Sequence, residues 1–263
     1  MADNSIATIA LGDPRASYLG PKGPSIERKA VGIDFHEHDW PFDQLGTVRY
    51  AQGPYSFERS FVSGVMGTYN RHDPERGIYA WSITAFPMAG ETIPHAHARD
   101  DLFRFFARLL KVGWRRSISV GDPRLAGAQT MRYFFEQDSA YSLDPTYVPS
   151  LEEWMRLNKH LPYWQFWADG SYMTVRVIDE PSLRNPARPG VYMFDIKIRS
   201  ESSNFEGYFT QVADMERWTE LIPAELERMH RLRVADEATL QRRGYVIDTS
   251  YEDPPILALQ RSA

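Results

Sequence analysis

Cysteine is absent from the 263 residues of the chain. The protein therefore has no disulfide, no thiolate nucleophile, no zinc-thiolate site and no iron–sulfur cluster held by cysteine. Glycine-rich phosphate-binding loops are also missing, because neither Gly-x-x-x-x-Gly-Lys nor Gly-x-Gly-x-x-Gly occurs. The Gly-x-Ser-x-Gly turn of serine hydrolases is absent as well, and the nearest segment, Ser60 to Gly64, is interpreted as the end of a strand. The sequence thus predicts no catalytic residue and no cofactor.

Long apolar runs and an excess of basic charge are lacking too. No stretch approaches the roughly 20 apolar residues of a membrane-spanning helix. The first ten residues carry an early acid and no basic segment, unlike a secretory signal. We therefore expect a cytoplasmic protein without a membrane partner. The net charge of −5 disfavours a nucleic-acid partner and favours a basic one.

Aromatic residues, in contrast, are plentiful, with 7 Trp, 14 Tyr and 14 Phe. Such side chains bury large areas and dominate cores and interfaces. The hydrophobic share of 43% is close to that of globular proteins, so a sizeable core is expected. The length exceeds that of a usual domain, which is roughly 100 to 200 residues. The chain is therefore consistent with either one large domain or two packed subdomains.

Strand-like runs follow an N-terminal stretch without periodicity. Residues 1–30 are rich in Gly, Pro and Ser, and we predict an irregular arm there that adds little to the core. Beyond it, β-branched and aromatic runs between turn residues predict strands. The predicted strands are Val31–Phe35, Gly46–Ala51, Phe57–Tyr69, Ile78–Phe86, Trp114–Ser119, Tyr163–Ala168, Ser171–Ile178 and Val191–Arg199. Asp169-Gly170 is typical of a two-residue hairpin turn.

Apolar periodicity and capping residues predict helices between these strands. The predicted helices run from Asp100 to Gly113, from Asp122 to Glu136, from Ser150 to about His160, from Val212 to Leu232 and from Ala235 to Arg243. Pro223 should kink or split the fourth of them. A strand-like tail is expected after Gly244. The fold class is α+β, with antiparallel sheets and helices packed on one face. A loose boundary near residues 137–149 separates two similar-sized halves, 31–140 and 141–263, which can equally form one continuous domain.

Two histidine pairs are the main candidates for a metal site. The candidate ligands are His36, His38, His95 and His97. On a strand, residues two apart share a face, so each pair could present two imidazoles to one ion. A catalytic metal also needs a third ligand, which Asp34, Asp100 or Asp101 could supply. The alternative interpretation is ordinary surface histidines before a helix.

The stretch Gly90–His97 resembles the first metal-binding motif of cupins, in which a glycine precedes a His-x-His pair and a glutamate follows. Here Asp101 stands where the glutamate is expected, no later segment supplies a third histidine, and a predicted helix begins where a cupin strand would continue. This resemblance implies a metal-dependent small-molecule enzyme, which we keep as the alternative function.

An aromatic run and several acids have plain structural interpretations. Alternation along Tyr163–Trp167 places Trp164 and Phe166 on one face and Tyr163 and Trp167 on the other, as in a strand that is covered on both sides. We therefore favour a role for these aromatic residues in the core over a role as a binding platform for a ligand. Acids at helical spacing are interpreted as solvated helix faces rather than as the paired carboxylates of glycoside chemistry. These acids are Glu152, Glu153, Glu216, Glu220, Glu225 and Glu227.

Four segments together resemble bacterial immunity proteins encoded beside antagonism toxins, including those linked to type VI secretion. They are Val112–Arg116, Asp122–Gly127, Pro149–Trp154 and Phe166–Tyr172. The resemblance implies a stoichiometric inhibitor that covers the active site of a cognate protein toxin in the cytoplasm, and it carries over no catalytic residue. We therefore predict a non-catalytic binding protein with this role. A metal-dependent enzyme and a structural or scaffold protein are the alternatives.

Overall fold

The computed structural model describes residues 6–13, 25–137, 140–157 and 160–260. Within these ranges, ten strands form one mixed, mostly antiparallel sheet, and seven α-helices pack around it, so the predicted α+β class is confirmed. The strands are β1 Ile6–Ile9, β2 Ser25–Arg28, β3 Ile33–Asp39, β4 Gly46–Tyr50, β5 Phe57–Asn70, β6 Ile78–Ala85, β7 Arg115–Arg116, β8 Tyr163–Ala168, β9 Ser171–Asp179 and β10 Tyr192–Ser200. The helices are α1 His95–Lys111, α2 Ala128–Gln137, α3 Leu151–Leu157, α4 Glu201–Glu206, α5 Val212–Glu216, α6 Trp218–Arg242 and α7 Leu257–Gln260. None of these helices is long and apolar enough to cross a membrane.

One sheet runs through both predicted halves of the chain. Its strand order is β1-β4-β5-β6-β10-β9-β8-β7, with β2 and β3 beside the far end of β5. β4 and β3 pair with successive parts of one edge of the 14-residue β5, and β6 pairs with its other edge. β6 then pairs with β10, where Ile83 lies opposite Ile196. The proposed boundary near residue 140 is therefore crossed by a central strand pair.

The β8–β9 hairpin turns at the predicted dipeptide. Asp169 and Gly170 have φ of 43° and 73°, and Ala168 pairs with Ser171 on either side of them. Two successive positive φ values give the turn a twist that matches the right-handed twist of the flanking strands. Because Asp and Gly tolerate this backbone, the sequence was sufficient to predict the hairpin.

The main core fills one face of the sheet. Phe106 of α1 packs against Trp164 and Phe166 of β8, with ring centroids 5.2 Å and 5.1 Å apart. A smaller cluster covers the opposite face, where Phe205 of α4 meets Tyr172 edge-on at 5.5 Å and stacks on Trp218 of α6 at 5.5 Å. The prediction of helices on one face thus holds for α1, whereas α4 and α6 lie against the other face.

The predicted irregular arm over residues 1–30 is wrong for two segments. Ile6–Ile9 pairs in parallel with β4, and Ala7 and Ile9 are fully buried in the main core. Ser25–Arg28 pairs with β3. These strands form because a neighbouring strand supplies their hydrogen bonds, which local composition does not reveal. The remainder of the arm, residues 1–5 and 14–24, lies outside the described residues.

The boundaries of two helices and one strand differ from prediction. α1 begins at His95 rather than near Asp100, because Pro94 directly precedes it and proline is favoured where amide hydrogen bonds are not needed. α2 begins at Ala128, not at Asp122. The predicted strand from Trp114 is reduced to Arg115–Arg116.

The last predicted helices also need correction. α6 continues through Pro223 and includes the segment predicted as a separate helix from Ala235, while the break falls at Arg217, between α5 and α6. Trp218 and Ile222 are buried beside Pro223, and this packing offsets the hydrogen bond that proline cannot make. The tail predicted as a strand is irregular until α7.

Candidate protein-interaction surface

His36 and His38 lie on β3, as the sequence predicts, but in aromatic surroundings. His36 is buried, its ring meets that of Tyr69 edge-on at 5.8 Å, and its Nδ1 has no hydrogen-bond partner in the described part of the chain. Burial lowers the pKa of His36, and the nearby Asp34 and Asp13 carboxyls oppose that shift. The ring of His38 packs on Trp40 at 4.4 Å. Both rings therefore serve as packing elements.

His95 and His97 do not form the predicted strand pair, because both lie in the first turn of α1. Residues two apart on a helix point in widely different directions. His95 is buried, with Nδ1 2.5 Å from the Tyr192 hydroxyl and Nε2 3.0 Å from the Asn185 carbonyl oxygen. Its two ring nitrogens are thus already engaged, whereas His97 is exposed.

The three candidate carboxylates are each bound to an arginine. Asp34 pairs with Arg71, Asp100 with Arg99 and Asp101 with Arg59. Across residues 6–13, 25–137, 140–157 and 160–260, no group of three or more His, Asp or Glu is placed to hold a metal ion. The structure therefore does not assemble the cupin-like centre from these residues.

The predicted interpretations of the aromatic run and of the acids agree with the contacts. Burial alternates along β8, with Trp164, Phe166 and Ala168 inside. Glu153 accepts the Ser150 amide at 2.7 Å while the Ser150 hydroxyl accepts the Glu153 amide at 3.2 Å, which forms the predicted capping box. The acids of α6 pair with arginines one turn away. These pairs are Glu220 with Arg217, Glu225 with Arg228, and Glu227 with Arg231.

A group of apolar residues around the end of β6 is the feature that sequence reasoning missed. It consists of the exposed Phe42, Phe61 and Met88 and the half-buried Phe86, and we call it the aromatic patch. Phe42 is 73% exposed, Met88 44% and Phe61 38%. The rings of Phe42 and Phe86 lie 5.3 Å apart. Grouped exposed apolar residues mark interaction sites in soluble proteins.

Phe61 has an unusual backbone conformation that sets the direction in which its side chain leaves the strand. Its φ is 59°, in the left-handed region that a bulky residue rarely adopts, and the pairing of β5 shifts register beside it. The Phe61 carbonyl accepts the Phe86 amide at 2.8 Å, and the buried Arg59 donates to the Phe86 carbonyl at 2.6 Å. The bulge thus turns an aromatic ring outward on a rigid frame. A bulge leaves no clear mark in a strand-like sequence, which is why the patch was not predicted.

A groove of about 760 Å³ adjoins Phe61 and carries basic side chains. Arg49, Arg108 and Lys111 line it, together with Glu58, which lies opposite Arg49 on the neighbouring strand and forms no ion pair with a described residue. The Arg59–Asp101 pair at its base is internally neutralised, with N and O 2.7 Å apart. We call this region the basic groove. Its positive charge is local and opposite to the net charge of −5.

The four segments that carry the family resemblance mostly serve the fold. Trp114, Leu125 and Trp154 are buried in the main core, Ser150 and Glu153 cap α3, and Asp169-Gly170 turns the β8–β9 hairpin. No protein-family model, curated protein or solved structure matches the chain.

Proposed function

We propose that the protein is a non-catalytic binding protein that neutralises a cognate protein toxin, as the immunity proteins it resembles do. The observation that carries the proposal is the aromatic patch, with Phe61 held outward by the β5 bulge. Binding energy at protein interfaces concentrates in a few aromatic and arginine residues. A residue whose backbone is already constrained loses less conformational freedom when a partner covers it, which favours tight association.

The basic groove indicates the chemistry of the partner surface. Arg49, Arg108 and Lys111 border Phe61 and are exposed to solvent. Charge complementarity accelerates encounter and rejects wrong partners. The toxin surface that fits here is therefore acidic around an apolar centre. For this surface, the expected charge of the partner is the opposite of the one that net charge favoured for the molecule as a whole, which was basic.

Co-expression with the toxin encoded by the adjacent gene tests the proposal. Wild-type protein should restore growth and co-purify with the toxin in a stoichiometric complex. Phe42→Asp should abolish both effects, because it places a charge in the patch and repels an acidic partner surface. Val246→Asp is the matched control, since Val246 is 68% exposed on the segment after α6. Rescue of growth without a complex would rule out a stoichiometric inhibitor.

Phe61→Gly separates binding from folding. Glycine adopts positive φ without strain, which offsets part of the packing lost with the partly buried ring, so this variant should still fold cooperatively in a thermal unfolding experiment. It should nevertheless lose affinity at least tenfold, because the outward ring is removed. Unchanged affinity in both Phe42→Asp and Phe61→Gly would show that the partner binds elsewhere.

A further inference from the structure

A second concave site lies on the face of the sheet opposite the main core. It is a cleft of about 720 Å³ whose floor is formed by β8, β9 and β10 and whose other wall is formed by α4 and α6. It shares no lining residue with the basic groove. Cavities of roughly 300 to 1,000 Å³ are typical of small-molecule sites. Its size therefore suits a small organic ligand better than a protein surface.

The floor presents polar side chains in rows set by strand register. Gln165 lies opposite Thr174, which lies opposite Lys197. Arg176 occupies the row on one side and Arg199 the row on the other. Because residues two apart on a strand are separated by about 7 Å, the two arginines lie toward opposite ends of the floor.

The cleft has more cationic than anionic groups available to a ligand. Neither Arg176 nor Arg199 forms an ion pair with any residue that the structure describes. The acids at the cleft are already bound to other cations. Glu227 pairs with Arg231 at 3.1 Å, and Asp253 pairs with Arg233 at 2.7 Å. An anionic group entering the cleft would thus meet two guanidinium groups that form no ion pair with a described residue. The acid opposite Arg176, Asp195, is bound to Lys197 at 3.6 Å.

A buried acceptor on the floor lacks a donor. Gln165 Oε1 is inaccessible to solvent and accepts no hydrogen bond from the described residues. Buried polar atoms in folded proteins are nearly always satisfied, by protein, water or ligand. Because this oxygen is closed to solvent, a ligand with an N–H or O–H group reaches it only if the Gln165 side chain rotates toward the cleft.

Aromatic rings supply an apolar wall. Phe205 is held between Trp218, on which it stacks, and Tyr172, which it meets edge-on. Tyr163 and Tyr208 also line the cleft. Burial raises the pKa of Tyr163, Tyr172 and Tyr208 further above neutral pH, so their hydroxyls remain available as hydrogen-bond donors. The wall suits a planar ring.

We infer that this cleft binds a small organic anion that combines a planar ring with a carboxylate or phosphate group. The ring lies against Phe205 and the neighbouring tyrosines, and the acidic group lies at Arg176 or Arg199. This site is separate from the proposed toxin-binding surface, and either can fail without the other.

Calorimetric titration of the full chain at low salt with four probes tests the inference. 2-Naphthoate and 2-naphthyl phosphate carry ring and charge, 2-naphthamide carries the ring alone, and inorganic phosphate carries the charge alone. We expect at least one acidic naphthyl probe to bind about tenfold or more tightly than the amide and than inorganic phosphate, since charge-assisted hydrogen bonds are the stronger ones. The preferred acid identifies the class of anion.

Variants locate the binding. Arg176→Gln and Arg199→Gln alter exposed side chains, so both should fold, and at least one should weaken the acidic probe about tenfold. Arg188→Gln is the matched control, because Arg188 is exposed and lies outside the cleft. The inference is overturned if neither acidic probe binds at millimolar concentration, if inorganic phosphate binds as well as they do, or if all three variants bind alike.

Discussion

Asp122 is a largely buried carboxyl whose pKa is raised to about 6, chiefly by burial. The Ser119 hydroxyl and Arg233 oppose the shift, and Asp236 adds to it. Because the folded protein favours the protonated form, the stabilising contribution of Asp122 is present below its unfolded pKa near 3.8. It is lost as the pH rises to about 6. A shift of this size corresponds to at most about 3 kcal/mol.

Replacing Asp122 by Asn should therefore flatten the dependence of stability on pH between 4 and 6. Asparagine can still accept the Ser119 hydrogen bond, and it carries no charge to bury. We expect Asp122→Asn to be more stable than wild type by about 1 to 2 kcal/mol at pH 7 and equal to it near pH 4, measured by urea unfolding at each pH. Glu252→Gln, which removes an exposed acid from the nearby tail, should track wild type throughout. An unchanged pH profile in Asp122→Asn would contradict this account.

Arg59 is a second buried charge, and the free energy of unfolding depends on the one acid that pairs with it. Its side chain is 2% exposed, pairs with Asp101 and lies over the rings of Phe105 and Phe194. Asp101→Asn leaves the guanidinium buried without a counter-charge and should cost about 3 to 5 kcal/mol in free energy of unfolding. Asp100→Asn is the control, because the Arg99–Asp100 pair is partly exposed and should contribute less than about 1 kcal/mol.

The double variant Arg59→Met/Asp101→Asn tests the cause of that loss. Removing both charges should recover much of the stability lost in Asp101→Asn, since the buried unpaired cation is gone. If the double variant is as unstable as the sum of its single substitutions, the loss arises from packing rather than from charge.

Among the elements, α6 shows how packing overrides local preference. Pro223 lies in the second turn and cannot donate to the Thr219 carbonyl, yet the helix continues to Arg242. Pro223→Ala should restore that hydrogen bond and stabilise the protein by about 1 to 2 kcal/mol, after allowing for the greater entropy of the unfolded chain. Thermal unfolding measures the change. Ala224→Pro, which removes the next amide, should instead cost about 3 kcal/mol, and equal effects of both substitutions would contradict the interpretation.

Elements with local signals were predictable from the sequence, and those that depend on distant partners were not. β8 and β9 follow from alternation around Asp169-Gly170, and α3 follows from the capping box at Ser150. β1 becomes a strand only because β4 lies beside it. The aromatic patch depends on a bulge in β5, and the cleft depends on where α6 crosses the sheet, so neither site could be read from spacing. The histidines were visible as a pattern, but their contacts with Tyr192, Tyr69 and Trp40 were not.

For the whole molecule, the β6–β10 pairing determines how the two halves unfold. Six residue pairs connect these strands, from Phe194 opposite Ala85 to Arg199 opposite Ala80. One core cluster contains fully buried residues from both halves, including Val48 of β4 and Val175 of β9. Separating the halves would expose this core and leave a row of backbone hydrogen bonds without partners. We therefore expect the chain to unfold as one cooperative unit.

Hydrogen exchange in paired variants tests that cooperativity. Val175→Ala should lower the opening free energy of the slowest amides in β5 by the same amount as those in β9, on the order of 2 kcal/mol, because both require global unfolding. Val48→Ala makes the same test with a substitution in the first half of the chain, and it should lower the opening free energies in β5 and β9 equally. If each substitution weakens protection only in its own half, the sheet joins two units that open separately. If each substitution lowers protection equally in both halves, the central strand pair makes the chain a single folding domain.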